Sequence, residues 1–304
     1  MTADSRAALV RRAATVSFAS TVVVVVAKLA AAAVSGSVSV LAEGLQSLLD
    51  VFMSLAVVWS LRVAAAPPDE DHPFGHGKAE LLTSAFQMLL VLGTAAVIVW
   101  QAAERLMAPH TIEPDWGIAA MAYAAVANTC VIVYVQSVLR RAHSHALAGE
   151  REHLKSDTFA SVGILGGLLL YRATGWAPLD PIVALLFTGM GAYFAVRQLR
   201  RVVHPLMDGA LPRQDIERIE QVLKAHGDVR GFHNVQTRET GVMRYVSLHV
   251  MLDDDLTFVR AHDLAEAIED ELSAALSGAH VTLHYEPFEA ELEHREREHH
   301  EPRP

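Results

Sequence analysis

Residues 38–61 read VSVLAEGLQSLLDVFMSLAVVWSL, an apolar run interrupted by a few serines and by Glu43, Gln46 and Asp50. About 20 mostly apolar residues in a helix are enough to cross a bilayer. The three polar side chains are spaced three and four residues apart, which places them on one face of such a helix. Because an acid inside a membrane span is costly, it marks a functional site by default. The stretch therefore predicts a membrane-spanning helix with one functional polar face.

Similar apolar runs occur on both sides of this stretch and predict an all-α membrane domain over residues 1–208. Lysine and arginine concentrate in the loops on one side of the predicted membrane, which places both termini in the cytosol by the positive-inside rule. The sequence thus favours a six-helix transmembrane bundle. The predicted spans are 13–34, 38–61, 80–104, 114–139, 154–173 and 178–199.

The pattern changes at residue 209, where apolar runs give way to short amphipathic segments. Residues 209–290 predict a small cytosolic α+β domain in the order α-β-β-α-β, ferredoxin-like or metallochaperone-like. Residues 291–304 are rich in His and Glu and predict a disordered tail. The predicted elements of the domain are helices 212–226 and 258–276 and strands 229–237, 242–252 and 281–286.

Composition limits the chemistry that the chain can perform. Its net charge is −10, concentrated after Pro205, which argues against nucleic-acid binding and favours a cationic partner. One cysteine, Cys130, excludes a disulfide framework and a thiolate zinc cluster. Any metal site must therefore use imidazole and carboxylate groups, supplied by 16 His and 35 Asp and Glu residues.

A second acidic face lies in the fifth predicted span, where His153 and Asp157 are four residues apart. Counted along the helices at about 1.5 Å per residue, Asp50 and Asp157 lie at comparable depth in the membrane. Two carboxylates facing each other in a low dielectric repel or bind protons, and a divalent cation would remove that repulsion. We therefore expect the two helices to share one ion.

Two lysines bear on this expectation. Lys155, or an arginine, could pair with Asp157 near the membrane interface, which would make the aspartate structural rather than a ligand. Lys28 in the first predicted span could supply a counter-charge, but we expect it to extend its ammonium group toward the interface instead.

The loop after the second span contains a compact set of metal-binding side chains, in the run Asp69-Glu-Asp-His72-Pro-Phe-Gly-His76. Aspartate and two histidines at spacings of three and four, with glycine allowing tight turns, could gather around one ion. The alternative is a solvated polar loop with no ligand function.

The predicted cytosolic domain carries histidines on several of its elements. His284 and Glu286 are two residues apart on the last strand and so point to the same side. Strand order cannot be inferred from the sequence, and a single histidine is more often a surface or core residue. Four histidines and one glutamate nevertheless favour a metal site. His262 begins the second predicted helix and the others lie on the predicted strands, so the set is His233, His249, His262, His284 and Glu286.

Taken together, these motifs resemble the cation diffusion facilitator family, in particular its bacterial iron/zinc efflux branch. The resemblance covers roughly residues 10–290. It is carried by Gln46-Ser-Leu-Leu-Asp50, His72-Pro-Phe-Gly-His-Gly-Lys-Ala-Glu80, His153-Leu-Lys-Ser-Asp157, Leu179-Asp-Pro181 and Leu206-Met-Asp-Gly209. It implies a homodimer in the bacterial inner membrane that exports a divalent metal ion, zinc or iron first, in exchange for protons.

The resemblance also implies roles for individual residues. Asp50, His153 and Asp157 match the family's transport site, which Gln46 would complete. Asp69, His72 and His76 match its loop site, and the five cytosolic residues named above match a regulatory metal site at the dimer interface. Lys78 and Asp208 match a salt bridge that joins the membrane and soluble parts.

Two departures from the family pattern concern the metal. Glu286 stands where the closest relatives carry Asp, and Gln46 stands where the branch carries Asp or other branches carry His. Glutamine offers a neutral carbonyl oxygen, so the change should weaken binding and favour harder ions such as Fe²⁺ or Mn²⁺ over Zn²⁺. Cobalt, nickel and cadmium also suit an imidazole and carboxylate site.

Two other classes of protein compete with an exporter. A non-transporting metal-sensing scaffold or partner subunit is favoured by Gln46. A membrane metallo-hydrolase would need an open metal position and a general base, and the chain has no His-Glu-x-x-His motif. We therefore expect a transporter rather than an enzyme, with a divalent metal as substrate and regulator and no organic cofactor.

Overall fold

A computed structural model describes residues 3–108, 110–140, 145–240 and 243–290. The chain divides into two compact units, one formed by residues 1–58 and 86–199 and the other by residues 59–85 and 200–304. The predicted tail 291–304 lies outside the described residues. The predicted fold class, a helical membrane region with a small α+β domain, is confirmed.

Long helices account for every predicted span. Each span falls within one helix or begins one residue before it, and most helices extend beyond the apolar run into polar sequence. Their bounds are α1 Ala3–Ser35, α2 Val38–Ala64, α3 Lys78–Met107, α4 Pro114–Leu139, α5 His145–Thr174 and α6 Leu179–Leu206.

Among the described residues, five of these helices are long and apolar enough to cross a membrane, and α5 is not one of them. The reason is the charged first half of α5, from Glu150 to Asp157. Its second half is apolar and carries Ile164 and Leu168, both about 1% exposed, into the helix core. The fifth predicted span is thus a helix with a strongly polar beginning.

The first unit combines a tightly packed interior with an apolar exterior. Gly163 and Gly167 of α5 let α6 approach closely, since a Cβ at either position would collide with Phe187 or Val183. Many large apolar side chains instead point outward, as Trp100 does with 71% of its surface exposed. Contiguous exposed apolar surface of this kind suits contact with lipid.

The start of α2 is fixed by an acid from another helix. Asp180, in the first turn of α6, is 4% exposed and accepts hydrogen bonds from the hydroxyls of Ser37 and Ser39, both at 2.5 Å. It also accepts one from the backbone N–H of Val38, at 2.7 Å. Helix N-termini leave N–H groups without partners, and a carboxylate there satisfies them and complements the helix dipole.

The second unit contains the predicted α-β-β-α-β fold in the described sequence. Strand β2 lies between β1, to which it is antiparallel, and β3, to which it is parallel. The alternating residues Val246, Leu248 and Val250 of β2 pack with both helices in one core. Its elements are α7 Arg213–Ala225, β1 Val229–Glu239, β2 Arg244–Leu252, α8 Phe258–Ala275 and β3 His280–Pro287.

Candidate metal sites

The membrane unit brings together three of the predicted ligands. The Nε2 atom of His153 lies 3.8 Å from Oδ2 of Asp50 and 3.6 Å from Oδ2 of Asp157. One ligand atom from each residue lies within 4.8 Å of the other two. Ligand atoms around a tetrahedral ion at about 2.0–2.1 Å lie roughly 3.4 Å apart, so small side-chain adjustments would close this set on a transition metal.

The three ligands face a cavity of about 290 Å³. Its polar wall is formed by α2 and α5, because the spacing of four in each helix turns the paired ligands to the same side. Apolar residues of α3 and α6, among them Ile98 and Phe187, line the rest. The charged side chains of the cavity are therefore concentrated on one wall, and the other walls are mostly apolar with a few hydroxyl groups.

Gln46, the predicted fourth ligand, lines the same cavity. Its amide group interacts with Asp50 and does not offer its carbonyl oxygen to an ion between the three ligands. Its Nε2 amide donates to Oδ1 of Asp50 at 3.5 Å. In this arrangement Gln46 steadies the aspartate from the side. Coordination by its carbonyl oxygen would require the amide group to turn over.

Lys28 does not extend toward the interface, and that expectation is wrong. The residue is fully buried, and its Nζ atom donates to Oε1 of Glu43 at 2.8 Å and to Oγ of Ser47 at 3.0 Å. An ammonium group inside an apolar bundle is tolerated when it is paired, and Glu43 supplies the pair. The sequence pattern indicates how deep Lys28 lies in the membrane, but it does not show that Glu43 on the next helix is its partner.

The loop between α2 and α3 brings Asp69, His72 and His76 together, as their spacing predicts. Oδ1 of Asp69 lies 3.2 Å from Nδ1 of His72, and Oδ2 lies 3.3 Å from Nε2 of His76. A backbone hydrogen bond from His72 holds the pKa of the Asp69 carboxyl below its usual range, so the acid stays ionised. Nδ1 of His76 is buried and has no hydrogen-bond partner among the described residues, which fits a donor set able to hold an ion.

Histidines of the cytosolic sheet form a straight row. Strand register aligns His233 of β1 with His249 of β2, and His249 with His284 of β3. Neighbouring rings lie 5.0 Å and 4.8 Å apart between centroids. The row occupies the sheet face opposite the apolar core, because strand side chains alternate between faces.

Glu286 joins this row from β3. Its Oε1 accepts a hydrogen bond from Nδ1 of His249 at 2.7 Å and lies 3.5 Å from Nε2 of His284, while Oε2 lies 3.5 Å from Nε2 of His233. The longer glutamate thus reaches all three rings, and ligand atoms of His233, His249 and Glu286 lie within 4.8 Å of one another. His262 interacts with Glu266 on α8, at 3.4 Å, and is not a member of that set.

The predicted pair of Lys78 and Asp208 is formed, with Nζ 3.0 Å from Oδ1. Both residues belong to the second unit. Arg238 of β1 approaches the same carboxylate at 3.6 Å and lies over the rings of Phe74 and Tyr245, at 4.4 Å and 5.2 Å from their centroids. The residues flanking the loop site are thereby held against the sheet by charge and cation–π contacts.

Sequence reasoning missed two serines that support the membrane site. Ser47 of α2 binds Lys28, and Ser161 of α5 donates to Oε1 of Glu43 at 3.5 Å. Each serine lies four residues after an acid on its own helix, Glu43 or Asp157, so the helical period carried a signal for both. A serine in a helix is common, however, and the period alone did not distinguish these two.

Comparison with known proteins agrees with this architecture. The family model of the cation efflux transmembrane domain matches residues 14–207, and that of the cation efflux protein cytoplasmic domain matches residues 211–288. The cation-efflux pump FieF of Serratia proteamaculans is 33% identical, over 92% of this chain and 94% of that protein. The uncharacterized transporter sll1263 of Synechocystis is 35% identical, over 86% of this chain and 85% of its own length.

Solved structures that resemble the chain include the metal-bound C-terminal domain of the CzcD transporter from Thermotoga maritima. That structure is 25% identical, covers 25% of this chain and 94% of its own, and has a TM-score of 0.24. The family models together span both units of the fold, and the FieF relative aligns over nearly its full length. The two family models and the FieF relative show that the chain belongs to the cation efflux family, the cation diffusion facilitators.

Proposed function

We propose that the chain exports a divalent transition-metal ion, zinc or iron, from the cytosol in exchange for protons. The observation that carries the proposal is the meeting of Asp50, His153 and Asp157 in one cavity between apolar helices. Ligands from two neighbouring helices, α2 and α5, would hold the ion between them. A small change in the packing of those helices would open the site to one side or the other, as alternating access requires.

The donor set suits borderline transition metals. One imidazole and two carboxylates are ligands of zinc, iron, manganese, cobalt, nickel and cadmium, whereas copper(I) prefers thiolates that this site lacks. The amide of Gln46, at 3.5 Å from Asp50, adds no charge to the set. We infer that binding is weaker than with a third carboxylate at this position.

Proton exchange follows from the chemistry of the same ligands. Imidazole and carboxylate must lose their protons to bind a metal, so metal and protons compete for one set of lone pairs. Histidine has a reference pKa of about 6.5, close to physiological pH, and therefore responds to a modest proton gradient. Protons that arrive from outside would occupy His153 and the carboxylates and release the ion there.

We further propose a homodimer in a bacterial inner membrane with both termini in the cytosol. The distribution of Lys and Arg among the loops supports the orientation. The histidine row with Glu286 has the donor set of a regulatory metal site, and an ion held there would draw together acidic surfaces that otherwise repel. The loop site of Asp69, His72 and His76 lies in the same unit as this sheet and would bind metal on the cytosolic side.

Flux through the purified chain in proteoliposomes tests the proposal. Vesicles with an imposed pH gradient are offered Zn²⁺, Fe²⁺, Mn²⁺, Co²⁺, Ni²⁺ and Cd²⁺ in turn, and uptake is followed with an internal metal indicator. Asp157→Ala should abolish flux, whereas Asp115→Asn, which alters an exposed carboxylate paired with Arg172, should not.

Two results would contradict the assignment in different ways. Undiminished flux in Asp157→Ala would show that the ion takes another path. Metal binding without flux in the unaltered chain would favour the metal-sensing scaffold, and Gln46→Asp would then show whether the glutamine is the reason.

A further inference from the structure

A buried ion pair lies beside the metal ligands of the membrane unit. Nζ of Lys28 on α1 and Oε1 of Glu43 on α2 are 2.8 Å apart, and their side chains are 1% and 8% exposed. Ser47 and Ser161 complete the contacts of the pair at 3.0 Å and 3.5 Å. Each member of the ion pair thus also contacts one uncharged serine in the interior of the bundle.

The pair is connected to the transport cavity from both ligand helices. Glu43 lines the cavity together with Asp50 and Asp157, and it lies two turns before Asp50 on the same face of α2. Ser161, which donates to Glu43, follows Asp157 by four residues on α5. Any field that the pair produces therefore acts directly on the ion and its ligands.

Stability alone is a weak reason to keep such a pair. Moving two charges from water into a low dielectric is costly, and apolar replacements of buried pairs are often neutral or stabilising. Ionisable residues inside membrane proteins instead mark ion pathways and their counter-charges. The charge count of the cavity gives the pair such a role.

Counted by formal charge, the acids Asp50, Asp157 and Glu43 bring three negative charges to this region and Lys28 brings one positive charge. The balance of minus two is equal and opposite to a divalent cation. Removing either member of the ion pair shifts that balance by one unit, in opposite directions. Charges buried to the extent of Lys28 and Glu43, 1% and 8% exposed, are screened less by solvent than surface charges, so a change of one unit is felt over a few ångströms.

We propose that Lys28 and Glu43 are positioning residues for transport, whose fixed opposite charges match the cavity to a divalent ion and set its affinity. The inference rests on the proposed function. In this arrangement Glu43 supplies the charge that glutamine at position 46 does not, and Lys28 prevents the acids together from holding the ion too tightly to release it.

The apparent KM for Zn²⁺ flux in proteoliposomes measures this effect, and the cytosolic sites, which are unaltered in every variant, contribute equally to all of them. Glu43→Gln removes a negative charge from the cavity lining, leaves the ammonium group of Lys28 without its carboxylate, and should raise KM by about tenfold. Lys28→Met removes the positive charge and should leave KM unchanged or lower it. Both variants should lose thermal stability, since each breaks a buried pair, so stability and KM will not change together.

A conservative variant serves as the control. Glu43→Asp keeps the charge and should restore KM to within about threefold of the unaltered chain, by the same electrostatic argument. If Lys28→Met does not fold, the contrast between Glu43→Gln and Glu43→Asp still tests the role of charge.

The outcomes separate this inference from the proposed function. No Zn²⁺ flux in the unaltered chain, or full flux in Asp157→Ala, would refute the transport site itself. With transport intact, an equal rise of KM in Lys28→Met and Glu43→Gln would overturn the inference, since a purely structural pair gives that result. An equal KM in Glu43→Gln and Glu43→Asp would overturn it as well.

Discussion

Asp180 of α6 caps the first turn of α2 across the bundle, with its Oδ2 accepting a hydrogen bond 2.7 Å from the N–H of Val38. This contact fixes the start of the helix that carries Gln46 and Asp50. Asp180→Asn would place an amide N–H against N–H and hydroxyl donors, and we expect a loss of about 2 kcal/mol. The apparent melting temperature of the purified chain in detergent measures the loss.

Asp115→Asn is the matched control for that prediction. Its carboxylate pairs with Arg172 at 3.2 Å, but both side chains are more than half exposed. Exposed pairs contribute roughly 0–1 kcal/mol, so melting should hardly change. An equal loss of stability in the two variants would show that the Asp180 cap contributes no more than an exposed ion pair.

Replacing the imidazole ligand should shift metal preference. His153→Asp makes the ligand set entirely oxygen and adds a negative charge, which favours Mn²⁺ and Fe²⁺ over Zn²⁺. We expect the ratio of Zn²⁺ to Mn²⁺ flux to fall by about tenfold or more in proteoliposomes. An unchanged ratio would mean that His153 does not coordinate the transported ion.

Gln46→Asp should tighten metal binding at the same site. A third carboxylate near Asp50 adds attraction for the ion and removes the amide that now donates to Oδ1 of Asp50. We expect the apparent KM for Zn²⁺ to fall by about tenfold, with slower release lowering the maximal rate. Gln101→Asp, on the last part of α3 and outside the residues lining the cavity, is the comparison variant and should leave KM unaltered.

Metal binding by the histidine row should depend on Glu286 more than on His262. Glu286 contacts all three rings of the row, whereas His262 contacts Glu266. Glu286→Gln should therefore weaken metal binding by this sheet by at least about tenfold, and His262→Ala should change it little. Titration calorimetry of the full chain carrying Asp157→Ala and His76→Ala isolates the site, and equal losses would show that His262 moves into it on binding.

The Lys78 and Asp208 pair predicts an acid-sensitive contact. A hydrogen bond from Lys78 lowers the pKa of the Asp208 carboxyl below its usual value of about 4. A carboxyl whose folded pKa is depressed adds stability above its unfolded pKa and loses it as pH falls through the folded value. The stabilisation should therefore be constant above about pH 4 and disappear below it.

Hydrogen exchange of the full chain measures this dependence near residues 74–78 and 206–209. Lys78→Met should reduce protection by a similar amount at every pH above about 4 and by nothing at lower pH. Because Lys78 and Asp208 are about 34% and 44% exposed, the effect belongs to the range of surface pairs, below about 1 kcal/mol. Lys224→Met, in an exposed pair on α7, should leave these segments unaffected.

Helical periodicity predicted much of the membrane unit because it reports depth and face. The spacing of Asp50 on α2 and of His153 and Asp157 on α5 was enough to expect a shared ion, and the three side chains do meet. The same reasoning failed for Lys28, because a flexible lysine is equally compatible with the interface and with a partner on another helix. Only the packing of α1 against α2 decides between them.

Strand order and tertiary stacking were beyond reach for a related reason. The alternation on β3 placed His284 and Glu286 on one face, but nothing in the sequence states which strand lies next to β3. Likewise, the position of Arg238 over Phe74 depends on residues far apart in the chain. The polar first half of α5 also lowers the hydropathy of that helix, and it includes the proposed ligands His153 and Asp157.

The alignment of His233, His249 and His284 across three strands gives the sheet a further property. A slip of one residue in either pairing would turn the ligands of the displaced strand to the opposite face. An ion bound to the row would therefore favour correctly paired strands over every shifted arrangement. The supply of metal would then help to select the correct strand pairing while the sheet assembles, before the protein transports any ion.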